Sequence, residues 1–594
     1  MKKSILQLLF PRLRHVSFFF LFFAFSVLHT TAQTITMPNV IGNNMVLQQN
    51  TQVPIWGWAA QGTSVTITAS WGETVTTTAA ITGKWMTKIQ TPVAVAGQAP
   101  TYTLTIAGPV NTITFSNILI GEVWLCSGQS NMWFQMNYID ATYPGVVDYS
   151  TEIAAANYPN IRFFTVPKAN AVAPVANCAG SWTICSPTTV NTFSAVAYYF
   201  GRELYNNAAV NVPIGLITSS YSNSAIQAWM KDSILRNDAE LKVKYIDGTF
   251  GATETKPSLL YNAMIAPIIP FAIKGTLWSQ GESNVSDGST YTKANIAMIN
   301  DWRTAWGIDF PFYAVQLTPR LWINNPKDLG SQRALFREAQ TNILATPKTG
   351  MVVTSDLILN NDELFTPHPR DKKTVGIRLS LWALAKDYGQ NVQYFGPQFE
   401  SYTVEGNKIR ITFKSESLGT GLITKDGFNP TCFKLSASNK AFYPALAQIE
   451  GNSIVVSSPY VIVPASVHYA FTEGARTNLM NNEGIAAFPF RTDAWSGFYY
   501  VDVPDLNTSV ENTEIDEPAK LFPGIFQNSI NITGINNGIQ RIDIFDIMGR
   551  SVKSQIGDNA SNATLDVSTF AKGAYILRVV QTDLTIIDFK AIKQ

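Results

Sequence analysis

Residues 118–132 read ILIGEVWLCSGQSNM, a largely apolar run that ends in small and polar residues. The run from Ile118 to Cys126 predicts a buried strand of a parallel sheet, and a helix is expected to begin just after it. Ser130 would then lie at the carboxyl end of a parallel strand and at a helix N-terminus, where ligands bind and backbone N–H groups face developing negative charge. An N-cap is the commoner role for a serine before a helix, so this motif by itself leaves the nucleophile and the N-cap as alternatives, and the polar loops described below favour the nucleophile.

Further apolar runs follow, separated by longer helical stretches. They are Ile214–Thr218, Ile273–Trp278, Phe312–Leu317 and Met351–Thr354. Strands that alternate with helices are typical of βαβ units, so an α/β domain with a parallel sheet is predicted over residues 118–394.

The chain on either side of this domain has the pattern of β-strands. Residues 33–117 and 395–503 show short alternating segments broken by Gly and Asn, which predict two β-sandwiches. Residues 504–519 have the composition of a linker, and residues 520–594 are predicted to form a C-terminal β-sandwich. Residues 1–32 have the order of a secretory signal peptide, so an exported chain with no stable membrane span is expected.

Composition excludes several classes of function. The formal net charge is +1 and no basic stripe stands out, so a nucleic-acid partner is not expected. No CxxC pair is present, and only His368 and His468 follow the signal peptide, so neither a metal nor another cofactor is expected. His468 lies in a predicted strand far from the polar loops and is interpreted as structural. Cys178 and Cys185 are close enough in sequence to pair in an exported protein.

Polar side chains follow the ends of other predicted strands. Asn284 follows one strand and can donate a side-chain N–H to an oxyanion, and the backbone of residues 219–224 follows another. A third loop carries Asp356, Asp362, Glu363 and His368. A nucleophile, oxyanion donors and an imidazole base with acids nearby are the parts of a serine hydrolase. Gln280 and Glu282 are interpreted as loop scaffolding in preference to acid/base groups.

Several of these motifs resemble the sialate O-acetylesterase family, which belongs to the SGNH hydrolases. They are GEVWLCSGQSNM at 121–132, WSQGESN at 278–284 and HPR at 368–370. Shorter similar stretches are MVLQ at 45–48, FSAVAYYF at 193–200 and PFRTD at 489–493. The resemblance covers residues 34–496. It implies a three-layer α/β/α catalytic domain in which Ser130 is the nucleophile, Asn284 the oxyanion side chain and His368 the base.

The first departure from the family pattern concerns the oxyanion loop. Where the family usually has Trp-Gly-Gly-Thr, this chain has YSNS at 221–224, so Ser222 replaces the oxyanion glycine. The backbone N–H of Ser222 can still donate, but the loop is expected to adopt a glycine-only conformation less readily. Reduced or altered activity is the consequence expected of this replacement.

The second departure concerns the acid of the triad. SGNH enzymes carry it three residues before the histidine, where this chain has Phe365. Asp362 is preferred as the substitute, and Glu363 is the other candidate. The alternative is a Ser-His dyad in which a backbone carbonyl holds the imidazole.

Residues 520–594 resemble the sorting domain of the type IX secretion system, although Pro523 is followed by Gly and Ile where Asn and Pro are usual. The resemblance implies that type IX machinery is a partner and that the protein is secreted or held at the cell surface. The expected function is removal of O-acetyl groups from sialic acids or related sugars. An acetylxylan-type esterase and a catalytically impaired glycan-binding protein are the alternatives.

Overall fold

The structure is a computed structural model that describes residues 34–593 apart from 325–326, 361, 504–505, 507–519, 523–524, 536, 547–549 and 583–585. The signal peptide and most of the linker expected from the sequence lie outside these residues. No helix in the described ranges is both long and apolar enough to cross a membrane.

The N-terminal region consists of short strands. They are β1 Val46–Gln48, β2 Gln52–Trp58, β3 Ser64–Ala69, β4 Thr74–Thr78, β5 Lys84–Gln90, β6 Tyr102–Ala107 and β7 Thr112–Gly128. β2 pairs with β5. β3 lies between β4 and β6 in a second set of paired strands, and β6 also pairs with β7.

The long strand β7 belongs to two regions of the molecule. Its first part, Thr112–Ile118, runs antiparallel to β6, and its second part, Glu122–Gly128, runs parallel to two strands of the central sheet. Burial changes along it in the same way, from alternating before Ile118 to continuous after it. The domain boundary expected between residues 117 and 118 therefore falls inside one unbroken strand, at the point where the surroundings of that strand change.

The central region alternates strands and helices. Its strands are β8 Tyr158–Thr165, β9 Trp182–Cys185, β10 Ile214–Ser220, β11 Gly275–Ser279, β12 Phe312–Val315 and β13 Thr349–Val352. Its helices are α1 Ser130–Trp133, α2 Tyr149–Ala154, α3 Pro187–Val190, α4 Ala195–Asn206, α5 Asp232–Asn237, α6 Ala239–Tyr245, α7 Ser289–Trp306, α8 Gln332–Thr341 and α9 Lys372–Lys386. Short helical turns span Ile226–Trp229, Thr253–Thr255, Tyr261–Ile265, Ala266–Ile268, Glu282–Asp287, Asn342–Ala345 and Asp362–Phe365.

The central sheet has the order β13-β12-β11-β7-β10-β8-β9 and is parallel except for β9. Helices cover both faces of it. Trp124 contacts Phe200 of α4, whereas Trp278 contacts Trp302 of α7. Trp278 is paired in the sheet with Ser127, which comes three residues after Trp124 on β7. Because side chains alternate along a strand, Ser127 and Trp278 face the side opposite to Trp124. The helices α4 and α7 therefore lie on opposite faces of the sheet. The predicted α/β class and parallel sheet are thus present.

Two further β regions follow. The first has β14 Phe399–Glu405, β15 Lys408–Phe413, β16 Leu422–Thr424, β17 Phe433–Ser436, β18 Ala441–Pro444, β19 Leu446–Glu450, β20 Ser453–Ser457, β21 Ser466–Tyr469, β22 Leu479–Asn481, β23 Phe490–Arg491 and β24 Tyr499–Tyr500, with a short turn at Ser415–Ser417. The second has β25 Lys520–Phe522, β26 Ile525–Phe526, β27 Ser529–Thr533, β28 Ile539–Asp546, β29 Ser551–Ile556, β30 Ala563–Asp566, β31 Gly573–Gln581 and β32 Ile586–Lys593. Each has a hydrophobic core of its own.

Two side-chain predictions are settled here. Cys178 and Cys185 are free thiols, so the pairing considered from the sequence is not formed. His468 is fully buried, stacks on Phe442 with 3.6 Å between ring centroids, and contacts Asp493 and Tyr500 at 2.9 Å each. These contacts fit the structural role expected for it.

Candidate active site

The end of β7 brings Ser130 to the carboxyl edge of the sheet. Gly128 has φ 135°, and a Cβ there would lie 2.1 Å from the carbonyl oxygen of Ser279 on the neighbouring strand. The next residue, Gln129, donates its backbone N–H to that same oxygen at 2.8 Å. Only glycine permits this close approach, which fixes where α1 begins. Ser130 is the first residue of α1 and is 4% exposed.

A buried polar chain lies directly behind Ser130. Asn131 donates to Glu282 Oε1 at 2.5 Å and to the Pro367 carbonyl at 3.0 Å, and its Oδ1 accepts from Lys372 Nζ at 2.7 Å. This chain ties the nucleophile segment to the loop that carries His368. Glu282 therefore contacts Asn131, in agreement with the scaffolding role preferred for it.

His368 enters the site from the loop before α9. Its Nδ1 lies 3.0 Å from the Thr142 carbonyl oxygen. A carbonyl oxygen only accepts hydrogen bonds, so Nδ1 carries the proton of the neutral ring and Nε2 keeps its lone pair. Nε2 is buried and has no hydrogen-bond partner among the described residues. The histidine thus presents a nitrogen that can accept a proton.

Tyr143 connects this histidine to two serines. Its ring stacks on His368 with 4.5 Å between centroids, and its hydroxyl donates to Ser222 Oγ at 3.3 Å. Burial raises the pKa of Tyr143, and hydrogen bonding with Ser222 and Ser130 opposes that rise. Ser130, Tyr143, Ser222 and His368 therefore form one cluster.

The imidazole is held in its neutral form. Burial and the positive charge of Lys372 together lower the pKa of His368 to about 4, and the contact with the Thr142 carbonyl opposes both effects. Lys372 is itself buried, which lowers its pKa to about 8. At neutral pH the ring of His368 is therefore uncharged, as a general base requires.

A pH profile should report this electrostatic arrangement. Protonated His368 cannot accept a proton, so activity is lost as the pH falls through its pKa. We expect kcat/KM to stay level from neutral pH down to about pH 5 and to fall only near pH 4.

Lys372→Gln removes a positive charge beside His368, so the fall in kcat/KM on the acid side of the profile should move to a pH roughly one unit higher. The matched control is Lys373→Gln, since Lys373 is on the same helix but pairs with Glu152 at the surface. Coincident acid limbs in all three proteins would contradict this account of the site.

The acidic residues near His368 have other partners. Asp356 forms a buried ion pair with Arg378, with 2.6 Å between Oδ2 and Nη2. Glu363 accepts from the backbone N–H groups of Leu359 and Arg370. Asp362 begins a helical turn, but its side chain lies outside the described residues. Because His368 Nδ1 contacts the Thr142 carbonyl, the geometry favours the dyad alternative over Asp362, whose role as the triad acid stays a prediction.

Asn284 is fully engaged in hydrogen bonds. Its Nδ2 donates to Asp287 at 2.6 Å and to Gln227 at 3.2 Å, and its Oδ1 accepts from Gln280 and from the backbone of Ile226. Both amide hydrogens are therefore in use, and an oxyanion role requires Asn284 to exchange a partner. That role stays a prediction. In this arrangement Asn284 and Gln280 hold the loop that follows β10.

The loop at 221–224 adopts its turn without a glycine. Tyr221 donates its backbone N–H to the Gly128 carbonyl at 3.0 Å, which places Ser222 beside the nucleophile segment. The left-handed conformation falls on Asn223, with φ 61°. Asparagine tolerates this conformation better than most residues. The strain expected at Ser222 is therefore moved to a neighbour that accommodates it. Ser222 as an oxyanion donor stays a prediction.

Comparison with known proteins identifies the family. Residues 120–383 match the family model described as carbohydrate esterase, sialic acid-specific acetylesterase. The sialate O-acetylesterase of Homo sapiens is 32% identical over 398 residues, which cover 62% of this chain and 74% of that protein. The protein of the same name from Mus musculus is 30% identical over 414 residues, covering 60% and 74%. The chain belongs to the sialate O-acetylesterase family.

A solved structure agrees with this assignment. The crystal structure of a carbohydrate acetylesterase from Xanthomonas citri is 33% identical and superimposes with a TM-score of 0.69, covering 78% of this chain and 100% of that one. The family resemblance inferred from the motifs is confirmed, and the chain is a carboxylic ester hydrolase of the sialate O-acetylesterase type.

The C-terminal region has an assignment of its own. Residues 520–594 match the model described as a secretion system C-terminal sorting domain, which confirms the resemblance to type IX sorting domains. Such a domain indicates export to the cell surface or secretion. No group of His, Cys, Asp or Glu side chains within the described ranges is arranged to hold a metal ion.

Sequence reasoning missed three contributors to the esterase site. Thr142 and Tyr143 lie in a loop with no motif or periodicity, so nothing in the sequence indicated that they contact His368. Lys372 offered a weak signal, because it comes four residues after His368 at the start of a predicted helix. Its burial at 3% exposure could not be read from its position.

Proposed function

We propose that the chain removes O-acetyl groups from sialic acids or related acetylated sugars through an acyl-enzyme formed on Ser130. The observation that carries this proposal is the cluster of Ser130, Tyr143 and a buried, neutral His368 whose Nε2 has no partner among the described residues. A serine becomes nucleophilic when an adjacent base takes its proton, and His368 has the ionisation state and tautomer for that task.

The proposed reaction has two halves. Ser130 Oγ attacks the acetyl carbonyl carbon while its proton passes to His368 Nε2. The bond between the acyl carbon and the sugar oxygen then breaks, and the sugar oxygen leaves with that proton. Water next attacks the acetyl-serine, gives a proton to Nε2, and acetate departs as Ser130 regains its proton. The Thr142 carbonyl keeps the proton on Nδ1 and stabilises the imidazolium in both halves.

Oxyanion stabilisation is assigned to the backbone N–H of Ser222 and the side chain of Asn284. Ser222 is favoured by its contact with Tyr143. Asn284 would have to release Gln227, the longer of its two donated hydrogen bonds at 3.2 Å. Both groups lie on loops that follow strands of the parallel sheet, where acyl-transfer enzymes place such donors.

The proposal includes the wider organisation of the chain. Residues 118–394 are interpreted as an SGNH-type three-layer catalytic domain flanked by β-sandwiches at 33–117 and 395–503. A signal peptide at 1–32 and the sorting domain at 520–594, joined through a linker at 504–519, would direct export with type IX machinery as a partner. Acetylated glycan outside the cell is the substrate consistent with that location.

Acetate release tests the proposed function and separates it from its rivals. We expect the full chain to release acetate from O-acetylated sialosides at a higher kcat/KM than from acetylated xylan. The reverse preference would favour the acetylxylan-type alternative. Absence of acetate from every acetylated sugar, with binding to glycan retained, would overturn the proposal in favour of an impaired binding protein.

A further inference from the structure

The loop between α1 and α2 brings a tyrosine hydroxyl to the proposed nucleophile. Arg370, two residues after His368, donates its Nε to the Gly145 carbonyl of this loop at 3.2 Å. The Thr142 carbonyl of the same loop contacts His368 Nδ1 at 3.0 Å. Tyr143 lies between these two contacts in the chain, so its backbone is fixed against the loop that carries the proposed base.

Neighbouring rings fix the orientation of the Tyr143 side chain. Its ring stacks on His368, with 4.5 Å between centroids and 25° between planes. The ring of Trp133 meets it edge to face at 4.9 Å, and Phe134 lies 6.0 Å away. A ring packed against several others has little freedom to turn, so the position of the Tyr143 hydroxyl is set before any substrate binds.

The Tyr143 hydroxyl is a donor with a weak present acceptor. It donates to Ser222 Oγ at 3.3 Å, longer than the usual O–H···O separation of about 2.8 Å, and it also hydrogen bonds with Ser130. Burial raises the pKa of Tyr143, and the charges of Asp140 and Glu282 raise it too, so the hydroxyl keeps its proton at neutral pH. A hydroxyl hydrogen rotates about its C–O bond, so it can change acceptor while the ring stays in place.

The oxyanion donors expected from the sequence leave room for a further one. Both amide hydrogens of Asn284 already have acceptors, Asp287 and Gln227. The other expected donor is the single backbone N–H of Ser222. The tetrahedral intermediate of acyl transfer carries its negative charge on one oxygen, and preorganised donors aimed at that oxygen are a large part of catalysis. A hydroxyl that contacts both Ser130 and Ser222 lies where that oxygen forms.

We propose that the Tyr143 hydroxyl donates a hydrogen bond to the oxyanion that forms when Ser130 attacks the acyl carbon, exchanging Ser222 Oγ for the acyl oxygen as its acceptor. This inference rests on the proposed function, to which it adds a catalytic residue. Tyr143 keeps its own proton throughout, and the proton of Ser130 still passes to His368. The hydroxyl therefore acts on the rate of acyl transfer and not on the choice of sugar.

The test removes the hydroxyl and leaves the ring. Tyr143→Phe should lower kcat for p-nitrophenyl acetate by about 10²- to 10³-fold, the usual effect of losing one oxyanion donor, with KM little changed. The second substrate is p-nitrophenyl thionoacetate, in which sulfur replaces the carbonyl oxygen and accepts hydrogen bonds only weakly. The ratio of kcat/KM for the acetate to that for the thionoacetate should therefore fall by about tenfold or more in Tyr143→Phe. A purely structural role would slow both substrates alike and leave the ratio unchanged.

Two comparisons separate this role from an effect on His368. The fall in kcat/KM on the acid side of the pH profile should occur at the same pH in Tyr143→Phe as in the unaltered protein, because phenylalanine preserves the stack on the imidazole. Tyr138→Phe is the matched control, since Tyr138 is in the same loop but 52% exposed, and it should change neither kcat nor the ratio.

Three results would overturn the inference. They are unchanged or faster turnover in Tyr143→Phe, an unchanged ratio between the two esters, and an acid-side fall displaced to another pH, which would place the effect at His368. The proposed function fails by a different result, in which the Ser130→Ala protein hydrolyses the acetate as fast as the unaltered protein.

Discussion

Ser130→Ala is expected to lower kcat for acetate release by about 10⁴-fold or more, because it removes the hydroxyl proposed to form the acyl-enzyme. The side chain is small and lies at the start of α1, so its removal leaves no large cavity and the melting temperature should barely change. The rate is measured with the best substrate of the acetylated panel, and the fold is checked by near-UV circular dichroism.

Ser127→Ala is the matched control for this experiment. Ser127 lies three residues earlier on β7, is fully buried, and has a hydroxyl without a hydrogen-bond partner in the described structure. Its replacement should leave kcat within a few-fold of the unaltered value. A fluorophosphonate probe should label Ser130 in the unaltered protein and in Ser127→Ala, and it should not label the Ser130→Ala protein. Near-normal turnover by a folded Ser130→Ala protein would reject Ser130 as the nucleophile.

The parallel sheet was predictable because its strands are buried on both faces. β7 is continuously buried from Ile118 to Gly128, and such strands appear in a sequence as unbroken apolar runs. The position of Ser130 follows from that run, because a small-residue turn can lie only where the run ends. What the runs could not show is that β7 begins before Ile118, inside the N-terminal region. Its earlier part alternates, so the sequence showed two patterns where the backbone forms one strand.

The loop contacts were not predictable because they depend on long-range packing. Thr142 meets His368 across 226 positions of the chain. Asp356 and Glu363 belong to the same predicted loop as His368, but the first is paired with Arg378 from α9 and the second binds backbone N–H groups. Asn284 matched the motif at its expected position, yet its amide is directed into a local network. A motif fixes the type of residue at a site, whereas hydrogen-bond partners fix what that residue does.

Replacement of His368, the proposed general base, gives the second large effect on kcat. His368→Gln is expected to lower kcat by about 10³- to 10⁴-fold, since glutamine cannot shuttle the proton of Ser130. Asp362→Asn should lower kcat by less than about tenfold, because the Thr142 carbonyl already holds His368 Nδ1. A buried triad acid, by contrast, typically contributes about 10⁴-fold.

Asp356→Asn and Glu363→Gln separate catalysis from folding in this comparison. Asp356→Asn leaves Arg378 buried without its charge partner, which costs about 3–5 kcal/mol, so we expect a lower melting temperature with kcat little changed in the protein that stays folded. Glu363→Gln loses a charged acceptor for two backbone N–H groups and should have a smaller effect of the same kind. A loss of several thousand-fold in Asp362→Asn alone, at unchanged stability, would restore the triad. The dyad predicts instead that, among these substitutions, only those of Ser130 and His368 cause a large kinetic loss, because a backbone carbonyl holds the imidazole and no carboxylate substitution can remove it.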